Sequence, residues 1–194
     1  MMEAQGQKGF SLIELLVVTG ILTIITALML ANNNKFGGVI LLENLAYDVA
    51  LSMREAQVYG ISVRQFGSGN FDVGYGLHFD TVSTMSYSLF GDVDADGLWS
   101  VDEEVSPSPY AIGRGYFISK LCAPAGADID TCTSITQLDI VFKRPEPDAY
   151  ISADGVSGVL FPGSLHDSAR IVVASPRGDE ASVVVEVTGQ ISVE

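Results

Sequence analysis

The segment DVDADGLWSVDE, Asp92 to Glu103, carries oxygen donors at its first, third, fifth, ninth and twelfth positions. It fits the loop pattern D-x-[DN]-x-[DN]-G-x5-E without a mismatch. Hard Ca²⁺ takes several oxygen ligands, and such a loop wraps them around one point. The expected set is the carboxylates of Asp92, Asp94 and Asp96, the backbone carbonyl of Leu98, Ser100 directly or through water, and Glu103 as a bidentate closer. Gly97 allows the sharp turn, and Trp99 takes the apolar eighth position. The competing reading is an exposed acidic loop with nothing bound. The flanks depart from a helix-loop-helix, because MSYSLF before the loop reads as extended and VSPSP after it contains Pro107 and Pro109. An unpaired loop of this kind is expected to bind structural Ca²⁺ in the weak range of roughly 10⁻⁴–10⁻³ M.

Other reactive residues are few. Cys122 and Cys132 are the only cysteines and fit either one disulfide or two free thiols. His78 sits in an alternating run and His166 in GSLHDS, neither with the spaced partners of a zinc site. No GxxxxGK[ST], GxGxxG or HExxH occurs, and no enzyme is expected. The formal net charge of −14 opposes contact with nucleic-acid phosphates or anionic headgroups, so no nucleic-acid partner is expected.

The elements that must hold these groups follow from periodicity. Beyond Gly60 the chain breaks into short pieces rich in Val, Ile, Phe and Tyr: ISVRQF, YGLHF, SYSLF, GYFIS, LDIVF, AYIS, GVLF, ARIVVA, ASVVVEV and QISV. They predict a mostly antiparallel β-head over 61–194 that carries the loop at 92–103. Upstream, Leu42, Leu45, Ala46, Val49, Met53 and Ala56 recur at spacings of three and four, which predicts an amphipathic helix over 31–60 ending near Gly60. ANNNKFGG, at its start, consists largely of weak helix formers and predicts a bend or loosened turn. The fold class is α+β: a long N-terminal helix, one half apolar and one half amphipathic, packed on an antiparallel head.

The apolar half runs from Phe10 to Leu30 with Glu14 as its sole charge. Twenty-one helical residues rise roughly 32 Å, enough to cross a hydrocarbon core of about 30 Å. A cleaved secretory signal would have a shorter apolar core and a basic leader, whereas here Glu3 offsets Lys8. A carboxylate in such a span is costly unless it has a partner or a task. A cut between Gly9 and Phe10 would create an α-amino group four residues before Glu14, and that positive end in a neighbouring copy could pair with the carboxylate.

KGFSLIELLVV, Lys8 to Val18, resembles the prepilin signature of type IV pilins and type II secretion pseudopilins. The resemblance implies that 1–9 is a leader removed after Gly9 by prepilin peptidase, that Phe10 is N-methylated, and that Glu14 acts in subunit recruitment and docking. It implies other pilin or pseudopilin subunits, the assembly platform and the cytoplasmic membrane as partners. The chain would be a single-pass protein of that membrane before entering an extracytoplasmic filament as a structural subunit. A head that captures DNA, a surface or a secreted substrate is the alternative, as is a major pilin. LAYDVALSMREAQVYGISV, YGLHFD and ASVVVEVTGQISVE further resemble GspH/FimT-type minor pseudopilins, although Gln190 and Glu194 replace the basic residues that some DNA-linked members carry near the last turn. With the head outside the cytoplasm, the reading of Cys122 and Cys132 tilts to a disulfide.

Overall fold

A computed structural model describes residues 9–62, 64–67, 69 and 71–194. The leader lies outside them except for Gly9. The chain divides into two compact units, Met1–Gly38 and Val39–Glu194.

The first unit is helical from Leu12, where α1 (Leu12–Ile61) begins. Its apolar stretch Leu12–Leu30 has mean hydropathy 2.4, and none of it is buried. Thr19, Thr23 and Thr26 donate their hydroxyls to the carbonyls of Leu15, Gly20 and Leu22, at 3.0, 2.8 and 2.7 Å. Back-bonding of this kind satisfies the polar side chains within the helix, so the stretch presents a surface compatible with lipid. Helical backbone continues through 31–38. The asparagines and glycines there predicted a loosened turn, but their propensity cost of up to about 1 kcal/mol per residue is too small to interrupt the backbone ladder.

In the second unit α1 buries Leu42, Ala46, Val49, Met53 and Ala56 and exposes Glu43, Asp48 and Arg54, the amphipathic face that the spacing predicts. It ends against the head at Gly60, where an added Cβ would lie 2.1 Å from the Phe142 carbonyl oxygen. Among the described residues ten strands follow: β1 (Gly74–Asp80), β2 (Ser86–Asp92), β3 (Tyr110–Ala111), β4 (Phe117–Cys122), β5 (Ser134–Ile135), β6 (Gln137–Phe142), β7 (Ala149–Ala153), β8 (Ser168–Ala174), β9 (Glu180–Glu186) and β10 (Ile191–Val193). They form two five-stranded sheets, β3-β2-β1-β6-β7 and β10-β9-β8-β4-β5. Every pairing is antiparallel, as between Leu77 and Leu89 or Ile171 and Val183. One hydrophobic core takes residues from the helix and from both sheets.

Side chains of α1 clamp both sheets. Ser52 Oγ lies 2.9 Å from the Tyr87 hydroxyl of β2, and Arg54 donates to the Ile191 carbonyl of β10 at 3.1 Å. Gln57 donates to the carbonyls of Pro147 and Gly189, both at 3.0 Å.

Two expected strands are absent among the described residues. Of ISVRQF, Ile61 closes the helix and Phe66 makes only an isolated bridge, while Val63 lies outside the described residues. GVLF is an irregular connection into a short 3-10 turn at Pro162–Ser164. There Ser157 Oγ accepts the Leu160 N–H at 2.9 Å and the Ser157 carbonyl accepts the Phe161 N–H at 3.2 Å, so local bonds replace a ladder that Pro162 could not extend.

Candidate metal loop and assembly residues

Asp92 ends β2, and the chain then folds back on itself before the 3-10 turn Val101–Glu103. Ala95 and Gly97 both have left-handed φ, 60° and 74°. At Gly97 a side chain is excluded on a second ground, since a Cβ would come within 2.4 Å of Val159 Cγ2. The reversal aims three carboxylates at one point: Asp92, Asp94 and Asp96 each offer an oxygen within 4.8 Å of the other two. Their remaining capacity organises the loop. Asp92 accepts the Gly97 N–H at 3.3 Å, Asp94 the Asp96 N–H at 3.3 Å, and Asp96 the Leu98 N–H at 2.7 Å.

Glu103 lies outside that convergence. It is 5% exposed, one carboxylate oxygen accepting the Val93 N–H at 2.8 Å and the other accepting the N–H and hydroxyl of Ser100 at 3.1 and 2.9 Å. The two intended ligands Ser100 and Glu103 are therefore bonded to each other. The Glu103 carboxylate thereby satisfies the Val93 and Ser100 N–H groups.

The electrostatics follow from burial. Asp92 is 2% exposed, and desolvation, reinforced by the charges of Glu103, Asp96 and Asp94, pushes its carboxyl up to about 6 despite the Gly97 bond. Asp96 is raised for the same leading reason. A site that resists its own ionisation is one that a bound cation would relieve.

The loop is fastened on two sides. Ser157 donates its hydroxyl to the Asp96 carbonyl. Trp99 stacks on His78, ring centroids 4.3 Å apart and planes 17° from parallel, and His78 in turn holds the fully buried Asp139 through Nδ1 at 2.7 Å. That polar pair has no spaced motif in the sequence. Its only signal is a charged residue inside the apolar run LDIVF.

Cys122 and Cys132 form a disulfide with Cα atoms 5.5 Å apart. Gly126, with φ 74°, lets the loop close, since a Cβ there would lie 2.6 Å from Cys132 Cα.

In the first unit Gly9 and Phe10 are exposed and precede the helix. Ser11 and Glu14 cap it reciprocally. The Glu14 N–H donates to Ser11 Oγ at 3.3 Å, and the Ser11 N–H donates to Glu14 Oε2 at 3.5 Å. This is the S-x-x-E capping box, which gives Glu14 a local role besides any docking role.

Residues 5–30 match the family model described as the prokaryotic N-terminal methylation motif. No curated protein matches the chain, and no solved structure matches it. The N-terminus thus carries the type IV pilin and pseudopilin signature, and the rest of the chain is described by its own structure alone.

Proposed function

We propose that this chain is a structural subunit of a type IV pilus or a type II secretion pseudopilus, made as a prepilin, cut after Gly9 and N-methylated at Phe10. The observation that carries the reading is the methylation motif over residues 5–30, which coincides with an exposed apolar helix of spanning length. The function is assembly. The span holds the subunit in the cytoplasmic membrane until its apolar surface passes from lipid to neighbouring helices, and the head is displayed outside. The helix followed by two antiparallel sheets supports the GspH/FimT-like minor pseudopilin assignment within that class.

Ca²⁺ is the cation proposed for the loop, held by Asp92, Asp94 and Asp96. The Leu98 carbonyl, Ser100 and Glu103 would complete the shell once Glu103 exchanges its backbone partners for the ion. Convergence of three carboxylates, one of them buried, supports this reading. Hard oxygen donors without nitrogen or sulfur favour Ca²⁺ over transition metals.

Mass spectrometry of the mature protein tests the function. The expected N-terminus is methylated Phe10 in cells with prepilin peptidase and the intact leader in cells without it, with the processed form in the sheared filament fraction. Recovery of the uncut chain from peptidase-containing cells would remove the basis of the proposal.

A further inference from the structure

Two recesses flank α1 in the second unit at the same level of the helix. One is a groove of about 510 Å³ between the helix and the start of β9 and end of β10, lined by Glu43, Tyr47, Asp179, Glu180, Val193 and Glu194 among others. Its carboxylates are exposed. Glu194 is paired with Arg170 at 2.7 Å, whereas Glu43, Asp179 and Glu180 have no ion pair among the described residues. Tyr47 and Val39 bring exposed apolar surface to the same groove. It therefore combines apolar walls with the exposed carboxylates of Glu43, Asp179 and Glu180, for which the described residues supply no ion pair.

The second recess, of about 190 Å³, is lined by Leu41, Leu45 and Asp48 on the helix and by Arg114 and Tyr116 after β3. Arg114 stands exposed between Gly113 and Gly115 with φ 61°, at the tip of the β3–β4 turn, and has no ion pair among the described residues. The left-handed backbone between two glycines makes a tight turn, and Arg114 is exposed on it. Glu43 and Leu45, one on each recess, are two residues apart and so roughly 200° around the helix. The acidic groove and the arginine therefore occupy opposite flanks of one helical turn.

Charge complementarity and this placement identify the occupant. We infer that the acidic groove receives Arg114 of a second copy of this chain. Because the two surfaces differ and lie on opposite flanks, the contact is heterologous: each copy offers its arginine to one neighbour and its groove to another, which generates an open series rather than a closed pair. An Arg fork suits a pair of carboxylates, and the same charges would steer copies with an overall charge of −14 into one orientation. The inference rests on the filament reading and specifies which faces of adjacent heads meet.

Cross-linking of full-length protein in membranes of cells with the assembly machinery tests it. Tyr47→Cys and Gly113→Cys place thiols beside the two partners without removing Glu43 or Arg114, and a Cβ at Gly113 meets nothing within 4 Å. Mild oxidation of the double variant should give a ladder at multiples of the subunit mass. Each single variant should give none beyond dimer, and raising NaCl from 0.05 to 0.5 M should lower the yield several-fold as screening shortens. Adding Arg114→Glu should abolish the ladder, and adding Glu43→Arg to that should restore it. A ladder indifferent to charge reversal, a dimer alone, an adduct of another mass or no adduct would each overturn the contact. Leader removal and filament entry of the same variants, scored in parallel, separate failure of this contact from failure of the filament reading.

Discussion

Asp92 shows how burial makes a carboxylate responsive to cations. Its raised pKa means that the folded head holds that proton more tightly than the unfolded chain does. The stability associated with the proton is complete below the ordinary value of 3.8 and is lost as pH rises through about 6. At roughly 1.4 kcal/mol per pKa unit the loss is at most about 3 kcal/mol by pH 7. Asp154 slopes the other way, its carboxyl lowered chiefly by the bond from the Thr136 hydroxyl, so a difference between variants is the clean measurement. Without Ca²⁺, Asp92→Asn should melt above wild type at pH 7, with the gap closing towards pH 4. Millimolar Ca²⁺ should raise the melting temperature of wild type and leave Asp92→Asn and Glu103→Gln unmoved. Trp99 is the single tryptophan and sits within the loop, so its emission reports the same titration. A wild-type protein indifferent to Ca²⁺ by melting and fluorescence alike would retire the site.

At the scale of elements, the contact between α1 and β6 hinges on the absence of one side chain. Gly60→Ala would drive a Cβ into the Phe142 carbonyl, so the helix end must lift from the sheet. A loss of about 1–3 kcal/mol is expected from such overpacking. Gly38→Ala meets nothing within 4 Å and should be neutral or stabilising by up to about 1 kcal/mol through helix propensity. Denaturant midpoints of the two variants check both signs, and equal effects would refute the close-approach argument. Much of this architecture was legible in the sequence, because strands such as YGLHF and SYSLF, buried along nearly their whole length, carry β-rich composition as well as turn signals. GVLF reads as a strand because four apolar residues do not reveal that Ser157 captures the backbone, whereas Leu160 and Phe161 are exposed. β3 and β5, two residues each, are too short for any period. The loop's donors were legible from spacing, whereas the turning of Glu103 onto Val93 and Ser100 depends on three-dimensional hydrogen-bond competition. The His78–Asp139 pair spans 61 residues and left no local pattern.

At the scale of the molecule, the two units satisfy different solvents. The head closes its core around one face of α1, whereas the apolar stretch of the first unit buries nothing of its own and needs lipid or other helices to cover it. That contrast isolates what Glu14 contributes. In the single chain its carboxylate completes the capping box with Ser11, a role that glutamine also fills. Glu14→Gln therefore keeps the cap and removes only the charge, while Ser11→Ala keeps the charge and weakens the cap by roughly 1 kcal/mol. If Glu14 docks on the methylated amino terminus of a neighbour, Glu14→Gln should insert and be cleaved normally yet fall at least tenfold in the sheared filament fraction. Ser11→Ala should assemble near the wild-type level. Should capping be the whole of its function, the order reverses, with Ser11→Ala the weaker assembler and Glu14→Gln indistinguishable from wild type. Immunoblots of membrane and filament fractions, normalised to cleaved subunit, read the two cases apart because insertion and processing are scored in the same cells.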